Sequence, residues 1–424
     1  MLVLDDGWFG KREDDNSGLG DWFVNEKKMN GSMAQLAEKI HRMGMKFGLW
    51  FEPEMISEDS DLYRAHPDWA ITIPGRVPNH ARNQLVLDMT RSDVRDYLMA
   101  RFEEILGNTK IEYVKWDMNR NFSDIYSPYL PAAKQGETAH RYVLGLYQIM
   151  EELTTRFPKI LFEGCSAGGN RFDLGILCYF PQIWASDNTD ALCRTGIQNS
   201  YSYGYPLSVF TAHVSSCPNH QTLRITPLET RFQVASFGIL GYECNLKDLS
   251  GSDLNAIREQ IAFYKKWRDV FQFGSFYRGA ENEASDSETL SWTCVSPDGR
   301  RAVGLFFRRL TVPNQSHDWY RPVGLLPDVK YHFYGRNIKY NLKDFGDLVN
   351  TVSPIHIKQG SALQEILSRF VNMDGEKEDL TAYGDTLMRA GIALKPAFAG
   401  TGYNSDTRLF PDFSSRIYFM EAVE

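Results

Sequence analysis

The sequence predicts an α/β protein. A (β/α)8-type TIM barrel, short of its first strand, spans residues 1–284, and a small C-terminal antiparallel β-sandwich-like domain spans residues 285–424. Three observations predict this. Short apolar runs alternate with helix-length amphipathic stretches through the first part of the chain. Most of those runs end in a carboxylate or an aromatic residue. Beyond residue 285 the helical periodicity fades and strand-like runs separated by turn residues replace it.

The expected barrel strands are Leu2–Leu4, Phe47–Phe51, Tyr113–Trp116, Ile160–Glu163, Gln182–Ala185, Ser208–His213 and Phe237–Tyr242. Apolar residues at helical spacing predict helices at Met33–Met43, Ser92–Ile105, His140–Phe157 and Asp253–Trp267. Strands alternating with helices imply a parallel sheet, and their nearly continuous apolar character fits a sheet covered on both faces. The count is seven, one short of a closed barrel. Further on, Thr289–Val295 and Arg301–Arg308 flank an Asp-Gly turn signal, Tyr331–Tyr334 and Arg416–Met420 read as strands, and Ile355–Phe370 is partly helical.

Composition narrows the function. A net charge of −8 with both signs interspersed argues against nucleic acid or an anionic membrane as partner. No apolar run reaches the ~18 residues of a membrane helix, and the acidic MLVLDDGWFGKREDD start is not a signal peptide. Six cysteines without framework spacing fit free thiols in a reducing cytoplasm. The aromatic content of 13% serves a large core or a sugar site equally well, so composition alone does not choose.

The residues following the strands do choose. In chain order they are Asp5 and Asp6; Trp50 and Glu52; Lys115, Asp117 and Asn119; Glu163 and Cys165; Asp187 and Asp190; His213; and Glu243. Carboxylates gathered at the carboxyl rim of a barrel, among Trp8, Trp50, Trp116 and Trp184, suit glycosidic bond cleavage. A retaining enzyme needs an ionised nucleophile and a carboxylic acid on the other side of the bond. Lys115 and Asn119 flank Asp117 at two residues each side, on one face if the strand continues that far, which suits the nucleophile. Asp187 follows an aromatic run and lies near Asp190, whose charge favours a protonated neighbour and suits the acid. Helix capping is the competing reading for Asp6 and Asp190.

Other motifs are weaker. Gly164-Cys165-Ser166-Ala167-Gly168 matches a nucleophile elbow, with a later acid and His213 in the right order, but Gly169-Asn170-Arg171 is a poor helix start. Cys217-Pro218-Asn219-His220 is half of a zinc pattern and reads as a loop turn. His41 and His140 fall within expected helices. No phosphate or dinucleotide glycine signature occurs, so neither cofactor nor metal is expected.

The motifs LDDGWFGKREDD (4–15), LGDW (19–22), GLWFEPEM (48–55), HPDWA (66–70), YVKWDMNR (113–120), FEGCSAGGNRFD (162–173), WASDNTDA (184–191), YGDTLMRAG (383–391) and FPDFSSRIYF (410–419) resemble the α-galactosidases of glycoside hydrolase family 36. The resemblance runs through essentially the whole chain. It implies retaining hydrolysis of terminal α-D-galactosides of the melibiose and raffinose type, with Asp117 as nucleophile and Asp187 as acid/base. It implies further that Asp5 and Asp6 bind the galactose 4- and 6-hydroxyls, that Trp50, Lys115 and Asn119 line the sugar subsite with Arg82 at its edge, and that Cys165 and Gly168 face the 2-hydroxyl. α-N-Acetylgalactosaminidase, galactosyl transfer to sucrose-type acceptors, a non-catalytic sugar-binding fragment and a Ser166 esterase are the alternatives. Family members carry an N-terminal β-sandwich domain and a first barrel strand before DDGWFG, and are commonly tetramers. A chain beginning at the second strand is expected to leave two sheet edges unpaired, with poor stability and little activity, and the tetramer does not carry over to it.

Overall fold

A computed structural model describes residues 1–280, 288–312, 318–351, 353–368, 370–395 and 409–423. The chain forms two compact units, Met1–Asp187 and Asn188–Glu424.

In the first unit, parallel strands β1 (Leu2–Leu4), β2 (Phe47–Phe51), β3 (Tyr113–Trp116), β4 (Leu161–Gly164) and β5 (Gln182–Trp184) pair in chain order. Helices α1 (Met33–Arg42), α2 (Ser92–Asn108), α3 (Thr138–Arg156) and the single turn α4 (Leu174–Leu177) separate them. Every residue of β2 is buried, which is why FGLWF shows no polar alternation. Ser32 and Gln35 form a capping box that starts α1, and its Met33, Ala37 and Ile40 turn inward. On α3 the buried stripe includes Tyr142, Leu146, Ile149 and Leu153. Gly145 interrupts that stripe because a Cβ there would lie 2.0 Å from the Met89 carbonyl oxygen. At the edge, β1 leaves Leu2 and Val3 40% and 37% exposed.

The second unit supplies two more parallel strands, β6 (Phe210–Ser215) and β7 (Ile239–Glu243), with helices α5 (Ala191–Tyr201), α6 (Leu228–Ser236) and α7 (Gly251–Phe273). Strands in chain order with intervening helices are the connectivity of a parallel β/α barrel, and seven such strands are present among the described residues. Three expected strands start one or two residues later than periodicity indicates. At β6 the cause is a 3₁₀ turn, Leu207–Val209, after Pro206; at β7, Phe237 still caps α6.

An antiparallel sheet follows, built from β8 (Ser275–Arg278), β9 (Thr289–Val295), β10 (Arg301–Arg308), β11 (Lys330–Gly335), β12 (Asp379–Tyr383) and β13 (Ser414–Ala422), in the order β8-β9-β10-β13-β11-β12. The turn between Val295 and Arg301 sets a register in which Val295 faces Ala302 and Thr289 faces Arg308. A helix, Ala362–Ser368, occupies part of the segment read as partly helical. No helix among the described residues is long and apolar enough to cross a membrane.

Candidate active site

The candidate site lies in the first unit. β3 ends at Trp116, so Asp117 is the first residue beyond it, held by its N–H donating to the Phe51 carbonyl (2.8 Å). Its carboxylate is 6% exposed. Oδ1 accepts from the Met118 N–H (2.8 Å); Oδ2 accepts from Asn119 Nδ2 (2.9 Å) and Trp50 Nε1 (3.2 Å). All three partners are N–H donors, which is the environment a carboxylate takes. Asn119 does not share a strand face with Asp117, because the strand has already ended; the turn folds its side chain back instead.

Lys115 connects several of the predicted residues. Its Nζ lies 3.2 Å from Asp5 Oδ2 and 5.7 Å from the centroid of the Trp184 ring. The Trp184 indole in turn donates to Asp187 Oδ1 at 2.8 Å. Burial works against the Lys115 ammonium, but Asp5, Cys165, Asp117 and Glu163 outweigh it and raise its pKa above the usual lysine value. Asp187 itself is exposed, three residues beyond the buried strand end at Trp184, so the two aspartates differ sharply in burial.

Asp5 Oδ1 accepts from the Asp6 N–H, while Asp6 takes a bidentate contact from Arg12, at 3.0 Å from Nε and 2.8 Å from Nη2. Asp6 is therefore paired with arginine and caps no helix. Arg12 is 5% exposed and was not singled out from the sequence; a basic residue soon after the Asp5-Asp6 pair is the only local signal.

The Cys165 N–H donates to the Trp116 carbonyl, and its thiol faces Asp117; burial first, then that neighbouring charge, pushes the thiol well above its ordinary pKa. Gly168 has φ +88°, and a Cβ there would sit 3.0 Å from Ser186 Cα and 3.1 Å from the Asp187 nitrogen. The loop after β4 therefore rests on the backbone of Asp187.

Two buried glutamates after β2 complete the surroundings. Glu52 Oε1 accepts from the Asn119 N–H (2.6 Å) and Gln84 Nε2 (2.7 Å). Glu54 is fully buried and meets Trp116 Nε1 (2.7 Å), the Tyr142 hydroxyl (2.7 Å) and Arg171 (2.8 and 3.0 Å).

Several expectations need correction. Trp8 and Trp116 are completely buried core residues, bonded to the Trp50 carbonyl and to Glu54 respectively; only Trp50 and Trp184 of the four tryptophans touch the aspartates. Strand alternation turns Trp116 away from the face that Lys115 occupies. Asp190 caps α5 through the Cys193 N–H and pairs with Arg224 (2.5 Å); burial raises its pKa, yet these partners and Thr222 lower it overall. Its charge is thus matched by a guanidinium. The expectation for Arg82 is not among these corrections: it stands exposed in a turn at φ +55°. Ser166 is no elbow: its N–H closes a turn onto the Gly168 carbonyl, its hydroxyl donates to the Met118 carbonyl (3.2 Å), and helix begins only at Leu174. Cys217–Asn219 is a loop turn closed by Asn219, with His220 exposed. Among the described residues no group of three or more His, Cys, Asp or Glu side chains is placed to hold a metal.

Parallel strands that carry indoles near their carboxyl ends and carboxylates just beyond them are the arrangement found in glycoside hydrolases. Residues 1–274 match the Melibiase family and residues 289–420 match the glycosyl hydrolase family 36 C-terminal domain, and the chain belongs to this family. It is 49% identical over 331 residues to alpha-galactosidase 1 of Pediococcus pentosaceus, covering 78% of this chain and 45% of that protein. It is 47% identical over 338 residues to alpha-galactosidase AgaA of Geobacillus stearothermophilus, covering 80% and 46%. Among solved structures, the alpha-galactosidase of Lactobacillus brevis superposes with a TM-score of 0.84 at 39% identity, over 100% of this chain and 50% of that one. A substituted AgaA in complex with raffinose gives 0.82 at 41%, over 99% and 51%. The chain spans about half the length of the curated relatives it matches.

Proposed function

We propose that the chain carries the catalytic site of a retaining α-galactosidase acting on terminal α-D-galactosides of raffinose-type oligosaccharides. The observation that carries this reading is the contact series Asp5–Lys115–Trp184–Asp187 beside the donor-clamped Asp117. Asp117 attacks the anomeric carbon as Asp187 gives its proton to the departing oxygen; the glycosidic C–O bond breaks and a galactosyl ester forms. Asp187, now a carboxylate, takes a proton from water, the water oxygen bonds to the anomeric carbon, and the electron pair returns to Asp117. Two displacements retain the configuration. Asp5 and Asp6 accept from the 4- and 6-hydroxyls, Trp50, Lys115 and Asn119 line the ring, Cys165 and Gly168 lie by the 2-hydroxyl, and Arg82 stands at the edge of the subsite. AgaA was crystallised with raffinose and with stachyose in variants altered at two aspartates seventy positions apart, the separation of Asp117 and Asp187.

The same reading includes a catalytic domain of residues 1–284 and a β domain of 285–424, supported by the ranges of the two family matches. A cytoplasmic location is supported by six free cysteines.

The test uses p-nitrophenyl α-galactoside. Asp117→Ala should lose roughly 10⁴-fold in kcat, and azide should restore turnover with release of β-galactosyl azide. Asp187→Ala with azide should give the α-azide. Ser166→Ala should stay within a few-fold of the parent. Full activity in Asp117→Ala, or its loss in Ser166→Ala, would refute the reading. Faster turnover of the N-acetylgalactosaminide would move the substrate class.

A further inference from the structure

Glu52 and Glu54 leave the same strand two residues apart, and both are buried, at 1% and 0% exposure. Their partners differ. Glu54 holds the Arg171 guanidinium along with two further donors, so its charge is matched. Glu52 has two neutral N–H donors and no cation among its described partners. The charged group that acts on it is the Asp117 carboxylate across Asn119; Arg120 is occupied by the carbonyls of Asn79, Gln84 and Asn121, and Arg171 is bound to Glu54. Asn119 ties the two carboxyls together, its N–H on Glu52 and its side chain on Asp117.

We propose that Glu52 is a positioning residue for Asp117: a buried carboxyl that keeps its proton in the resting enzyme, anchors the turn after β3 through Asn119, and leaves Asp117 as the single negative charge of the pair. A buried carboxylate without a cation, next to a second carboxylate, is the member that protonates. Burial first and Asp117 second push Glu52 up to about 7. The inference rests on the reading of Asp117 as nucleophile, and it bears on the second displacement. There the ester bond to Asp117 breaks and Asp117 regains its charge. A neutral Glu52 permits that; an ionised Glu52 sets a second negative charge beside the leaving carboxylate and slows its departure.

Glu52→Gln tests this, because glutamine keeps an acceptor for Asn119 and Gln84 but carries no charge at any pH. With p-nitrophenyl α-galactoside, whose good leaving group makes the second displacement limiting, parent kcat should fall several-fold as rising pH ionises Glu52 in the galactosyl-enzyme, at lower pH than in the free enzyme because the esterified Asp117 no longer repels that charge; kcat/KM should instead rise as Glu52 ionises beside the charged Asp117 of the free enzyme. The variant should lack both changes. A second readout needs no turnover. The folded-state pKa lies above the ordinary 4.5, so stability present below 4.5 is lost as pH rises towards 7. The parent's urea midpoint should therefore drop relative to the variant's over that window. An infrared band of a protonated buried carboxyl in the parent at pH 6, absent at pH 9 and absent from the variant, covers the case in which the variant folds poorly. Parallel midpoints and no such band would overturn the proton assignment. Active parent and variant with coincident kcat profiles would overturn the role in the second displacement. A parent that turns over no α-galactoside overturns the hydrolase reading and that role with it, while the midpoint and the band still decide the proton.

Discussion

Lys115 and Asp5 meet at 3.2 Å across strands β3 and β1, which bond not to each other but to β2 between them. The lysine therefore spans the intervening strand above its carboxyl end, and the ion pair joins a residue of the DDGW motif to one of the KWDMNR motif.

Replacing that lysine should affect catalysis more than stability. Asp5 is 63% exposed and remains solvated when its partner is removed, whereas the buried Asp117 and Glu163 lose a neighbouring cation, so Lys115→Met is expected to lower the melting temperature modestly. The loss of a fixed donor among the groups proposed to face the sugar should lower kcat/KM roughly 100-fold. Thermal scans beside steady-state kinetics check both; a large drop in melting temperature with normal kcat/KM would contradict the assignment.

Arg171 presents the opposite case. Glu54 has no access to water, so Arg171→Met leaves a buried carboxylate without its cation and should cost about 3–5 kcal/mol in urea unfolding. Arg171→Met combined with Glu54→Gln should recover much of that loss, because the charge goes with its partner. A double variant as unstable as the single one would show that packing, not charge, holds the pair.

Thiol reactivity reports the same burial. Cys165 and Cys294 are buried, and burial alone carries Cys294 up to about 12. Cys178 and Cys217 are exposed. At pH 8 an alkylating reagent followed by mass spectrometry should modify Cys178 and Cys217 in the folded protein, and Cys165 and Cys294 only after denaturant is added. Rapid labelling of Cys165 in the native state would mean that the loop after β4 opens.

Local pattern made part of this molecule readable. Fully apolar FGLWF and the KWD strand end announce themselves, because strand length, burial and the first residue beyond a strand are short-range properties. Asn119 was correctly tied to Asp117, but through the wrong geometry, since periodicity does not say where hydrogen bonding stops. The pairing of Glu54 with Arg171 joins residues 117 positions apart, and no spacing rule reaches that far. Trp8 and Trp116 went to the wrong side for a related reason: a tryptophan at a strand end suits core and rim alike until its indole N–H finds an acceptor.

The contact at Gly168 ties two properties that an engineer would want to vary separately. Any side chain there pushes on the backbone that carries Asp187, so enlarging or reshaping this loop to admit a bulkier sugar substituent also shifts the residue proposed as proton donor. Altered selectivity should therefore arise more readily by trimming Cys165 than by substituting the glycine. Libraries randomised at Gly168 should return mostly inactive clones whatever sugar they are screened on.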